Sequence, residues 1–179
     1  MKRSEMRTKV AVMLSAGAKK QDVFAELSGQ GVKDRALAYL IATHVDPRRC
    51  ADNKIHRRIV IAIACIQLML AILLGGYVAL NASMAVGVVV GAIGVLFAIL
   101  FLRGFLTDNA TIYTAFIFLS LSQLPRQLQG FSDDPVWASI GLGVGVVIIG
   151  YVWFVRHRLF PDLAIVSVRK INGKYVFSD

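Results

Sequence analysis

The sequence predicts an all-α membrane protein: a four-helix transmembrane bundle with an N-terminal cytosolic tri-helical domain and a short C-terminal β-hairpin tail. Three observations carry that prediction. The chain is 56% hydrophobic over 179 residues, against about 45–50% for soluble domains. The excess sits in long apolar runs from Ile59 onward, while Met1 to Arg58 reads like ordinary soluble protein. The formal net charge of +9 is concentrated beside those runs, in Arg48, Arg49, Lys54, Arg57 and Arg58 before the first and in Arg156, Arg158, Arg169 and Lys170 after the last.

The N-terminal domain is expected over residues 1–56. Met6, Val10, Met13 and Leu14, then Val23, Phe24 and Leu27, then Leu37, Leu40 and Ile41 follow helical spacing. Gly17 separates the first two helices, Gly29-Gln30-Gly31 the next two, and Pro47 ends the third. Val10, Leu14, Phe24, Leu27, Leu37 and Leu40 are the expected core. The stretch from Ala16 to Ala42 loosely resembles a helix-turn-helix. The resemblance would make Lys20–Leu27 its first helix and Val32–Thr43 a recognition helix offering Lys33, Arg35 and Tyr39 to a groove. The turn is longer than usual, Asp34 opposes phosphate, and a phosphate-binding face needs denser positive charge. Nucleic acid is not expected as a partner. His44, Cys50, Asp52 and His56 have a spacing that matches no common zinc pattern, and no metal or other cofactor is expected.

The bundle is expected over 57–156, with spans at about 59–80, 84–102, 109–128 and 135–155, each close to the 20 apolar residues a membrane-spanning helix needs. The third is the weakest, being short and rich in Thr and Ser. Orientation follows from the loops. With the N-terminus inside, Arg126 is the one Lys or Arg outside; the inverted arrangement exposes nearly every cation to the outer face. The expected location is therefore a cytoplasmic (inner or plasma) membrane, multi-pass, with both termini cytoplasmic. Trp137, Trp153, Tyr77 and Tyr113 fit headgroup depth. Lys2, Arg3, Arg7 and Lys9 before Val10–Ala16 imitate a signal peptide, but cleavage and export would place Arg57 and Arg58 outside. Cys50 and Cys65 would be about 22 Å apart on one helix, too far for a disulfide.

Lipid offers helices no hydrophobic reason to associate, so small residues are the expected contacts. Gly87, Gly91 and Gly94 mark the second span, and Gly141 and Gly145 the fourth. These two faces are expected to meet within the chain or to form a subunit interface, making a homo-oligomer an open option. No Asp, Glu or Lys lies mid-span, as proton relays usually require, and Gln67 is expected to hydrogen-bond between helices. Arg48, Arg49, Arg57, Arg58, Arg156 and Arg158 are expected to meet anionic lipid headgroups on the cytoplasmic face.

Two polar features remain. Pro125 should kink or end the third span. Around it, Gln123, Arg126, Gln127, Asp133 and Asp134 form a candidate outward-facing recognition surface, with Arg126 able to pair with either aspartate. The tail, 157–179, carries Asn172-Gly173 between two β-prone runs, which predicts a hairpin with strands Ile165–Ile171 and Lys174–Phe177. Two strands alone are marginal in water, so the hairpin should dock on the N-terminal domain.

No nucleophile–base pair or phosphate loop is visible. The expected function is non-enzymatic: a membrane accessory, regulatory or immunity-type protein acting through an unidentified protein partner. In size and layout the chain resembles membrane immunity proteins against pore-forming bacteriocins, without a shared motif. A channel or transporter component and a membrane-tethered DNA-binding regulator are the alternatives.

Overall fold

A computed structural model describes residues 3–129, 135–165 and 167–178. Among these, eight helices precede a two-stranded antiparallel hairpin. The chain divides into two compact units. Unit 1 takes its described residues from 1–52 and 156–179, and unit 2 comprises 53–155.

Unit 1 begins with α1 (Arg3–Ser15), α2 (Lys20–Leu27), α3 (Asp34–Ala42) and α4 (Pro47–Asp52). The first break needs a left-handed residue, supplied by Gly17 at φ +88°, a conformation that costs glycine no steric penalty. The α4 start is an Asx cap: Asp46 Oδ1 accepts the Arg48 N–H at 2.8 Å, and Pro47 takes the first helical position, where its missing N–H costs nothing. Pro47 therefore opens a short fourth helix rather than merely closing the third, which ends at Ala42.

Met6 and Val10, Val23 and Leu27, and Leu37 and Ile41 are buried at helical spacing, each helix turning one stripe inward. Leu14 and Phe24, expected in this core, are only half-buried. Ala38, Leu40 and Ala42 of α3 are buried as well, and the other end of the chain adds Leu159, Phe160, Leu163, Val168 and Phe177. The hairpin pairs β1 (Lys170–Ile171) with β2 (Lys174–Tyr175), Lys170 opposite Tyr175 and Ile171 opposite Lys174. Asn172 and Gly173 both have positive φ, the type I′ requirement that matches strand twist. The strands are much shorter than expected. Beyond them Leu163 makes a single bridge to Val168.

Unit 2 holds α5 (Lys54–Asn81), α6 (Met84–Leu106), α7 (Ala110–Gln129) and most of α8 (Pro135–Leu159), whose last turn belongs to unit 1. Among the described residues three helices, α5, α6 and α8, are long and apolar enough to cross a membrane; α7 is not among them. At 1.5 Å per residue they measure about 42, 34 and 37 Å, beyond the roughly 30 Å hydrocarbon layer. Their outward faces carry large apolar side chains, among them Leu73, Tyr77, Val88, Leu96, Trp137 and Val147, which water would not tolerate in such number. α7 is diluted by Thr111, Thr114, Ser120, Ser122 and Gln123. It runs through Pro125 to Gln129 without ending there.

Candidate functional site

Among the described residues the organised polar chemistry falls into one cluster in unit 1 and one in unit 2. In unit 1 the centre is Asp162, 2% exposed. Its carboxylate accepts the Lys20 ammonium at 2.7 Å, and the Ser178 backbone N–H and hydroxyl at 2.6 Å each. A buried carboxylate needs this many donors to offset its lost hydration. The residues it joins come from α2, the turn after α8 and the last described position of the chain. Beside it, Phe24 packs edge-on to Tyr175 and tilted against Phe177, with centroids 5.4 and 5.7 Å away. The sequence-expected docking of the hairpin therefore has its contact in the α2 phenylalanine. Arg49 reaches Ser178 Oγ at 3.5 Å and Asp46 at 3.9 Å. His44 is half-buried, and its imidazole is held below its ordinary value, first by burial and then by Lys20, with Asp46 opposing.

Arg156 corrects an expectation. It was assigned to lipid headgroups, yet it is 3% exposed and donates to the carbonyls of Ala164 and Ile165 at 2.7 and 3.1 Å. It pins the chain where the tail turns back after α8. A guanidinium suits this because one planar fork can serve two carbonyls.

In unit 2 a second cluster ties together the start of α5, the α6–α7 turn and the later part of α8. Arg57 donates to both oxygens of Asp108, through Nε at 2.7 Å and through a terminal nitrogen. Asp108 sits in the turn at φ +48°. His56 Nδ1 lies 2.9 Å from the Tyr151 hydroxyl, and its ring meets Phe154 edge-on. Arg57, expected at lipid headgroups, thus has a protein partner in Asp108. Just beyond the turn, Phe101, Phe105, Tyr113 and Phe116 form an aromatic cluster between α6 and α7, with centroids 4.8 to 5.5 Å apart. Tyr113, expected at headgroup level, is fully buried there.

The glycine faces part company. A methyl group added to Gly87 would fall 2.2 Å from the Ala79 backbone, and one on Gly75 2.6 Å from Gly91 Cα; Gly94 faces Ala71 at 3.2 Å. The α6 glycine face is therefore seated on α5 and not on α8, which corrects the expected pairing. Gly141 has nothing within 4 Å of its would-be Cβ, and the same holds for Gly143 and Gly150. Gly145 lies half-buried on the same helix. The α5 half of the zipper, Ala71, Gly75 and Ala79, was missed by the sequence reading. Its signal was present as small residues spaced by four.

The other assigned residues are dispersed. Arg48, Arg58 and Arg158 are exposed, as are Gln123 and Arg126 in the last two turns of α7. The Gln127 side chain, Asp133 and Asp134 lie outside the described residues, so the expected pairing of Arg126 with an aspartate does too. Lys33 and Arg35 are exposed and Tyr39 is half-buried, and Gln67 is half-buried on α5. Among the described residues no three His, Cys, Asp or Glu side chains gather as a metal site would need. Neither Cys50 nor Cys65 is in a disulfide. Comparison with known proteins adds no constraint: no family model matches the sequence, and no curated protein or solved structure matches it either.

Proposed function

We propose that this chain is a four-span membrane accessory protein that holds a composite water-side module, unit 1, at the cytoplasmic face, where the module binds a protein partner. The observation that carries the reading is the split origin of unit 1. Lys20 and Asp162 are 142 positions apart and meet as a buried pair, so the segment between them starts and finishes on one side of the bilayer. Three crossings would leave its ends on opposite sides. If α5, α6 and α8 all cross, an even number takes α7 as the fourth span. Its 20 residues measure about 30 Å, which matches the hydrocarbon layer. Its hydroxyls can bond to the helix itself, as Thr114 does to the Ala110 carbonyl at 2.9 Å and Ser122 to the Leu119 carbonyl at 2.7 Å, lowering their cost in lipid.

The charge distribution supports the same topology. With four spans, Arg103 and the cations flanking α5 and α8 fall on the side of unit 1, and Arg126 alone lies opposite, as the positive-inside rule favours. A non-catalytic role is supported by the use made of the buried polar groups. Asp162, Arg156 and the Arg57–Asp108 pair all satisfy one another or the backbone and hold elements together.

The test is a set of single cysteines in a C50S/C65A background, probed in intact cells with an impermeant reagent. Cysteines replacing Ser83 and Val136 should label, and those replacing Ser4 and Thr107 should not. If the positions 107 and 136 behave alike, α7 does not cross. For the partner, photo-cross-linkers at the exposed positions Val12 and Arg35 should capture one defined protein in native membranes. Adducts with lipid alone would overturn the protein-binding role while leaving the topology intact.

A further inference from the structure

The hairpin has two unlike faces. Extending the register by one pair sets Arg169 opposite Val176, and the Val176 N–H indeed donates to the Arg169 carbonyl at 3.2 Å. Side chains alternate across a strand. Val168, Tyr175 and Phe177 turn inward, where Phe24 meets the last two; Lys170 shares that side and lies 4.5 Å over the Tyr175 ring. The opposite face is Arg169, Ile171, Lys174 and Val176, all exposed, with Ile171 at 49% and Val176 at 38%. Each cation stands across the ladder from a β-branched aliphatic. Ile165, earlier in the tail, is 52% exposed.

We infer that this outer face of the hairpin lies on the anionic bilayer surface, with Ile171 and Val176 entering the headgroup–acyl boundary and Arg169 and Lys174 meeting lipid phosphates. The inference rests on the reading that α8 crosses the membrane. Charge complementarity is the first argument: the face holds two cations and no carboxylate, which suits phosphate-rich lipid. Composition is the second. Mixed cations and aliphatics are the make-up of surface-lying membrane elements, and Ile171 and Val176 stand exposed beside Arg169 and Lys174. Tethering is the third. Arg169 is ten residues beyond the end of α8, within about 35 Å even fully extended, so the bilayer is present at high effective concentration.

The experiment uses the full chain, C50S/C65A, in proteoliposomes. An environment-sensitive fluorophore is attached at Val176→Cys or, as a second site in case the first disturbs the hairpin, at Ile171→Cys. A separate sample carries it at Val147→Cys, on the exposed side of α8. Vesicles are phosphatidylcholine alone or equal parts phosphatidylcholine and phosphatidylglycerol. The hairpin probe should shift to the blue only in the anionic vesicles and return towards the red with added salt, because screening weakens surface attraction. Arg169→Glu and Lys174→Glu should each abolish the shift, since removing one cation alone lowers affinity for an anionic surface about fivefold. Identical hairpin spectra in both lipids, with the position 147 probe blue in both, would overturn the inference while leaving the span intact. A red position 147 probe would instead sink the span itself. A shift that follows protein density rather than lipid charge would mean a second copy of the chain, and one that needs added cytosolic protein would mean a protein partner; either overturns the lipid assignment.

Discussion

Unit 1 and unit 2 are held together by opposite means. Unit 1 has too few residues for a large core and closes on buried charge: Asp162 gathers donors from both ends of the chain. Unit 2 has apolar surface in excess, most of it turned outward, and gains specificity from places where side chains are missing. Gly75, Gly87, Gly91 and Gly94 let α5 and α6 approach almost backbone to backbone. In water, desolvated polar groups must be answered by partners. In lipid, where burial of apolar surface drives nothing, close van der Waals contact has to do the work. The difference teaches where each unit is vulnerable, to loss of a donor or acceptor in one and to gain of a methyl group in the other.

The largest expected effect is in unit 1. Asp162→Ala leaves the Lys20 ammonium and the Ser178 N–H without their acceptor, and removing one partner of a buried pair typically costs about 3 kcal/mol. Limited proteolysis and hydrogen exchange should show α1–α3 and the tail losing protection together, with α5 and α6 unchanged. If α2 stays protected while only the tail frays, the two chain ends are not one cooperative unit.

Next comes Gly87→Ala. The added methyl would sit 2.2 Å from the Ala79 backbone, so the helices must separate, at a cost of about 2 kcal/mol by analogy with overpacked cores. Gly141→Ala on α8 meets nothing within 4 Å and should be neutral or slightly stabilising through helix propensity. Denaturation of both variants in mixed micelles reads the contrast directly. Equal losses in the two would show that the α8 glycines are also packed.

That pair of glycine faces also shows what was legible in advance. The long apolar runs disclosed α5, α6 and α8, and Asn172-Gly173 disclosed the hairpin, because each is a local signal. The partner of the α6 glycines was misassigned although the connection of α5 to α6 through Ala82 and Ser83 allows only antiparallel neighbours. Ala71 and Ala79 are as apolar as their neighbours, so the small-residue row on α5 does not stand out from the run around it. Arg57 and Arg156 were read as headgroup contacts because flanking charge has the same sequence appearance whether it faces lipid, Asp108 or a carbonyl. Tyr113 was read as interfacial for the same kind of reason, since the phenylalanines that bury it lie partly on another helix. The Lys20–Asp162 pair had no signal at all. Residues 142 positions apart leave no local pattern in the sequence that pairs them.

A smaller effect tests the polar end of unit 2. Arg57→Ala removes a bidentate ion pair whose side chains are 24% and 12% exposed. Partial solvent screening limits the loss to about 1 kcal/mol. The α6–α7 turn should gain hydrogen exchange while the α5–α6 zipper keeps its protection. An equal rise along all of α6 would mean that the ion pair, and not the glycines, sets the α5–α6 contact.

The smallest expected effect is a dependence on pH confined to unit 1. His44 is held below its ordinary value of 6.5 by burial and then by Lys20, against Asp46. The unfolded chain therefore takes up a proton that the folded unit resists, and where the unfolded state binds more protons stability falls as pH is lowered. The contribution is intact above the ordinary histidine value and is lost as pH drops through it toward the depressed folded value. Protease resistance of α1–α3 should decline between neutral and mildly acid pH in the parent chain, and the decline should flatten in His44→Gln. An unchanged slope in the variant would remove His44 from the account.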